Sequence, residues 1–212
     1  MLGAPPSRDA LPLLRSSPLS TAMSKRDAIC ETALKLFAEK GIEATTTREI
    51  AEEAGAAEGT LYRHFEGKDD LARWLYRRCT RRLEETLTHA IADTIAPREQ
   101  LEALVRGVFE FYASKPASCT YLLSSQESGL PMTDEDDDLS PPPLRLFVDT
   151  LEQGAEQGVF RDTSASLIAG WILAMVQRTV RSLKTEALSV DPQAAIDDTV
   201  DAARRLAAVA SS

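Results

Sequence analysis

A glycine at position 55 stands between two short runs whose apolar residues recur at helical spacing, and no other feature constrains the fold of this chain as much. Thr46, followed three residues later by Glu49, forms a capping box: hydroxyl and carboxylate each answer a backbone N–H that a helix start leaves open. Ile50, Ala51 and Ala54 give that first helix one inward face. Gly55 follows where a helix C-terminus favours a residue that enters the left-handed region without a Cβ penalty. Ala56 and Ala57 keep the turn small, and Leu61 and Phe65, four apart, share one side of a second helix. Glu58, Thr60, Tyr62, Arg63 and His64 occupy the remainder. Two readings are open: an ordinary helical hairpin inside an all-α core, or a helix-turn-helix whose second helix is presented outward.

The surrounding pattern favours the second. A helix from Lys25, with Ile29, Ala33, Leu36 and Phe37 inward, ends at Gly41, and a long helix opens near Lys68 and runs through Leu71, Trp74 and Leu75. In Ala33, Leu36, Phe37, Gly41, Thr46, Thr47, Ile50, Ala51, Ala54, Gly55, Gly59, Thr60, Leu61, Tyr62, His64, Phe65, Lys68 and Leu71, this stretch closely resembles the N-terminal domain of TetR-family transcription regulators.

That resemblance implies an all-α chain with an N-terminal three-helix helix-turn-helix DNA-binding domain over 24–84, and a C-terminal helical ligand-binding and dimerisation domain over 85–212. It implies a homodimer whose two recognition helices enter the major groove of double-stranded operator DNA about one turn apart, roughly 34–36 Å, on a near-palindrome. It further implies release from DNA by a small-molecule inducer. Carried onto this sequence, Thr46 and Thr47 meet phosphate at a helix start, and Tyr62, His64 and Lys68 also lie on the backbone. Gly59 belongs to the same DNA-facing set. Thr60, Arg63 and Arg48 are placed for base edges, arginine because its fork matches the O6 and N7 acceptors of guanine. Arg48 has a competing partner in Glu52 at i,i+4.

Two positions depart from the family pattern. Ala57 stands where a capping serine or threonine is usual, forfeiting roughly 1 kcal/mol. Glu58 stands where a neutral or basic residue is usual; it either accepts from a cytosine amino group or compensates the helix dipole, and the second role is the commoner one.

Charge distribution tests the DNA reading. The chain carries a formal charge of −9 and a pI near 4.9, whereas nucleic-acid binding tends to leave a basic footprint. Residues 24–82, however, hold 12 Lys and Arg against 11 Asp and Glu, while residues 83–212 hold 10 against 21. The acid is concentrated away from the proposed reading head. Modest, strongly salt-dependent affinity is expected of an acidic body that repels DNA while one face engages it.

Further along, Leu101, Leu104, Val105, Val108 and Tyr112 form one helical stripe, and Leu144, Phe147, Val148 and Leu151 another. Residues 163–177 carry no charge and include Trp171 and Met175, yet fall short of the ~20 apolar residues of a membrane span. A core helix or subunit contact is expected there. A last helix opens after Asp191-Pro192, with Ile196, Val200, Ala203, Ala207 and Ala210 on one small-residue face. By architectural resemblance, helices over 163–185 and 192–210 make the dimer interface with Trp171 as anchor. The ligand pocket then lies among helices beginning near Pro97, Ala117 and Leu144, in the neighbourhood of Phe109, Tyr112, Tyr121, Phe147 and Met175.

Little else competes. Between Pro131 and Pro143, Asp134 to Asp138 are spaced acids, but the glycine and glutamate places of a calcium loop hold Leu139 and Arg145, so a solvated loop that gates the pocket is expected instead of a metal site. Residues 1–23 carry prolines and no signal-peptide pattern and read as a disordered extension. Cys30, Cys79 and Cys119, odd in number and far apart, fit reduced thiols in the cytoplasm. His64 and His89 lack further ligands at metal spacing, and no nucleophile elbow or phosphate-cradling loop is present, so neither an enzyme nor a cofactor is expected. The alternative function is a helical small-molecule-binding or interaction protein of the same architecture that no longer binds DNA specifically, which Ala57 and Glu58 favour.

Overall fold

The computed structural model describes residues 24–125, 142–185 and 190–209. They form α1 (Lys25–Lys40), α2 (Thr47–Glu53), α3 (Glu58–Tyr62), α4 (Lys68–Ile91), α5 (Pro97–Ser114), α6 (Pro116–Ser125), α7 (Pro142–Glu156), α8 (Ala165–Lys184) and α9 (Pro192–Ala207). Among the described residues there is no strand, only an isolated bridge between Phe160 and Ala208. The residues before Ser24, the Asp134–Asp138 run and Ala210 lie outside the described residues.

Helix starts follow their side-chain caps. Ser24, Thr46, Ser164 and Asp191 each accept from the backbone N–H three residues on. Ala57 makes no such bond, as its side chain dictates. Gly41 and Gly55 end α1 and the α2 turn at φ +87° and +60°, where a side chain would be strained.

Two apolar clusters organise the chain. The first joins Ile29, Ala33, Leu36 and Phe37 of α1 with Ile50, Leu61, Phe65, Leu71 and Leu75; the second joins Leu87, α5, α7, α8 and α9. α4 feeds both, so it is the rod that connects them. No helix among the described residues is long and apolar enough to cross a membrane.

Three details differ from the periodicity-based expectation. α3 ends at Tyr62, so Phe65 lies beyond it; the N–H of Phe65 still donates to the Leu61 carbonyl at 3.0 Å, and both side chains are buried. The small face of α9 turns inward: Val200, Ala203 and Ala207 are buried against α5 and α8 of the same chain, and the outward side carries Asp197, Asp198, Asp201 and Arg205. Small residues let α9 approach its own neighbours. The uncharged segment of α8 divides by phase, Ile168, Ala169, Ile172 and Val176 being buried while Leu167 and Trp171 remain 50% and 46% exposed.

Candidate nucleic-acid interface and ligand cavity

The reading head is built outward from two buried anchors. Leu61 (0% exposed) and Phe65 (4%) sink into the first cluster. The same rotation leaves Tyr62 52% exposed, with Glu58, Gly59, Arg63 and His64 exposed and Thr60 half-buried. An apolar underside and a polar upper side on one turn are what a presented helix requires.

The polar side is already knitted together. Thr46 caps α2 by accepting from Glu49 N–H at 3.2 Å, and Thr47 donates its hydroxyl to Glu58 Oε1 at 2.7 Å. Tyr62 Oη lies 3.3 Å from the same Thr47 oxygen. Arg48 resolves to its intrahelical option, Nε donating to Glu52 Oε1 at 2.8 Å. Arg63 donates to Thr60 Oγ1 at 3.0 Å, and Lys68 Nζ reaches the Glu43 carbonyl at 3.5 Å, at the limit of a hydrogen bond. The Lys40 ammonium holds the Glu49 carboxyl below the usual range, with Thr46 N–H adding to the effect.

Braces that periodicity does not reveal fix this head from behind. Lys25 Nζ donates to the Gly55 carbonyl at 2.8 Å, tying α1 to the turn between α2 and α3. The Arg26 guanidinium lies 4.4 Å from the Trp74 ring centre and 5.5 Å from that of Phe65, and Arg78 lies 5.3 Å from Trp74 while donating to Glu31 at 3.1 Å. Cation–π contacts of this kind are worth about 0.5–1 kcal/mol each at partly exposed sites. A basic residue opening the first helix is the sequence trace of the first brace; the second has none.

A cavity of about 160 Å³ opens between α4, α5, α6, α7 and α8. Tyr76 and Thr80 line it with Cys119, Leu122, Leu144 and Gln177. Among the described residues on its wall none carries a charge. A larger cleft of about 540 Å³ at the α7–α8 corner is walled by Glu152, Glu156, Arg161 and Asp162 and is open to solvent, a poor place to enclose an apolar ligand.

None of the five aromatic and methionine positions expected near the pocket is on the cavity wall. Phe109 and Phe147 are buried inside the second cluster, and Tyr112 and Met175 pack against it. The wall comes instead from positions a few residues away in phase: Val108, Leu144, and Leu173 with Val176 and Gln177. Tyr121 is displaced furthest. It is 0% exposed in the first cluster, its hydroxyl donating to the Ala72 carbonyl at 2.7 Å and its ring stacked on Phe37 at 5.9 Å. Burial pushes the Cys119 thiol up to about 12 and Cys30 to about 11, and raises Cys79 as well, so none supplies the thiolate that redox sensing needs at neutral pH.

Residues 29–74, the region that carries this geometry, match the profile of bacterial regulatory proteins of the tetR family. The HTH-type transcriptional repressor KstR2 of Mycobacterium tuberculosis is 31% identical over 152 residues, covering 70% of this chain and 76% of that protein. This chain belongs to the TetR family. As such it is a DNA-binding transcriptional regulator. The structure of KstR2 of M. tuberculosis, described as a ketosteroid transcriptional regulator, superimposes with a TM-score of 0.68 at 26% identity, over 88% of this chain and 96% of that one. AibR, solved in complex with isovaleryl coenzyme A and operator DNA, shares the TetR fold at a TM-score of 0.71 and 21% identity, over 84% and 97% of the two chains.

Proposed function

We propose that this TetR-family member is a cytoplasmic, homodimeric repressor that holds a near-palindromic operator and is released by a small apolar ligand. The observation that carries the DNA half is the division of one short helix into buried Leu61 and outward Tyr62, Thr60 and Arg63. Thr46, Thr47, His64 and Lys68 are the phosphate-contacting candidates of this reading, with Arg48 reaching bases by exchanging Glu52 for guanine.

The dimer half rests on α8. Leu167, Gly170, Trp171 and Ala174 are exposed at i, i+3, i+4 and i+7, one stripe with an aromatic anchor between small residues. A second copy across a two-fold axis covers such a stripe with itself. Light scattering is expected to give a dimer at micromolar concentration, and Trp171→Asp a monomer that binds the upstream region of its own gene much more weakly. A wild-type monomer that binds that DNA with full affinity refutes the arrangement.

The ligand half rests on the cavity. At about 160 Å³ it is smaller than the roughly 300–1,000 Å³ of ligand sites, so an occupant of ordinary size must push its walls apart. One wall is α6, which also plants Tyr121 in the core of the reading head. Apolar walls with two hydroxyls and an amide suit a neutral body with one or two oxygens, the chemistry of a ketosteroid, which the description of KstR2 also names. Fluorescence anisotropy of the operator complex tests this with a neutral ketosteroid, stearoyl-CoA and isovaleryl-CoA. Release by the first supports the assignment; release by only the short acyl thioester, or by none, overturns it.

A further inference from the structure

Resting on the DNA-binding reading, we propose that Glu58 sets base specificity at one operator position, by withholding the Thr47 and Tyr62 hydroxyls from phosphate until a base amino group takes its carboxylate. Thr47 has one hydroxyl hydrogen, and it is committed to Glu58 Oε1 at 2.7 Å. At the 3.3 Å contact between Thr47 Oγ1 and Tyr62 Oη the tyrosine is therefore the donor. The result is a relay, Tyr62 O–H to Thr47 O–H to the Glu58 carboxylate, in which both hydroxyl hydrogens point inward along the chain.

A phosphate oxygen brought to Thr47 and Tyr62 thus finds both donors spent and a carboxylate within hydrogen-bond reach of the group it needs. Among the described residues no neighbouring cation is ion-paired with that carboxylate. Arg48, which feels the Glu58 charge, is bonded to Glu52, and Arg63 is bonded to Thr60. The relay opens when Glu58 finds a better partner. In the major groove the amino donors are cytosine N4 and adenine N6, while guanine and thymine present acceptors on their own edges. A carboxylate accepts and cannot donate, so facing guanine or thymine it stays on Thr47 and repels the backbone. Facing cytosine or adenine it leaves Thr47, and the two hydroxyls turn to phosphate. Base readout and backbone contact are coupled through one hydrogen bond.

Selection of full-length protein on a randomised duplex library, with wild type and Glu58→Gln in parallel at one salt concentration, tests the coupling. The amide is isosteric, exposed, and able to donate as well as accept. Wild type is expected to enrich a symmetric motif with one position per half-site restricted to an amino-bearing base. Glu58→Gln is expected to lose the restriction at that position alone, by roughly 5- to 150-fold in relative affinity, and to bind unselected duplex more tightly than wild type. Identical motifs for the two proteins, or weaker binding of Glu58→Gln to unselected duplex, overturn the proposal and leave the DNA-binding reading intact. A wild-type pool with no enriched motif sinks both.

Discussion

Gly59 stands second in α3 with an ordinary helical φ, and a Cβ built on it meets nothing within 4 Å. The fold therefore has no steric use for a glycine there, although glycine in a helix costs about 0.5–1 kcal/mol relative to alanine. Gly59→Ala should recover that amount, raising the melting temperature by roughly 1–4 °C in a chain of this size. On DNA the effect reverses. Non-bonded carbon atoms in contact sit about 3.5–4.0 Å apart and a smaller oxygen only somewhat closer, so a backbone that approaches the bare Cα between Glu58 and Thr60 is held off by a methyl. Loss of one charge-assisted hydrogen bond through that displacement costs about 1.5–3 kcal/mol, roughly a tenfold to hundredfold weakening. Thermal unfolding and fluorescence anisotropy on the same preparations read the two effects separately. A variant both less stable and weaker on DNA shows that Gly59 serves the fold, and a more stable variant with unchanged DNA affinity shows that no backbone approaches it. Either result refutes the reasoning.

Other perturbations probe the scaffold. An added Cβ at Gly154 would lie 2.0 Å from Phe160 Cδ2; since Phe160 is buried, Gly154→Ala should lose roughly 1–3 kcal/mol by overpacking in urea unfolding, and an unchanged midpoint disproves the contact. Tyr121→Phe keeps the stack on Phe37 and deletes the bond to the Ala72 carbonyl, for an expected loss of about 0.5–1.5 kcal/mol because the α4 ladder also uses that oxygen; a neutral result means the bond is not formed in solution. The thiols carry a pH prediction. Their folded pKa values lie above the unfolded one, so the folded state is favoured while all forms are protonated and that advantage is lost as pH rises from about 8.5, the free-thiol value, towards about 11–12. Stability should fall over that window, and a disulfide reagent at pH 8 should label Cys30, Cys79 and Cys119 only after denaturant is added; prompt labelling of the native protein contradicts their burial.

Local rules made the reading head legible and stopped where contacts become long-range. Capping at Thr46, the turn at Gly55 and the four-residue step from Leu61 to Phe65 are encoded within a few residues, so the sequence specifies them and the structure contains them. The cavity is different. Aromatic size selected Phe109, Phe147 and Tyr121 as pocket residues, but in a packed bundle the largest side chains fill the centre of the interface and the void opens a few positions off in phase. Tyr121 depends on a partner 49 residues away, which no window of periodicity sees. Its true position gives α6 two faces: Tyr121 holds α4 and Phe37 on one, Cys119 lines the cavity on the other, and Leu122 touches both clusters. An occupant that enlarges the cavity through α6 must strain the Tyr121 anchorage or carry α4 with it, and α4 follows the reading helix in the chain after one short turn, from Arg63 to Gly67. A ligand can weaken DNA binding only by its preference for the displaced α6. Tyr121→Phe should accordingly leave ligand affinity for free protein nearly unchanged or increased while reducing the amount by which ligand weakens DNA binding. Equal coupling in wild type and variant would place the transmission elsewhere.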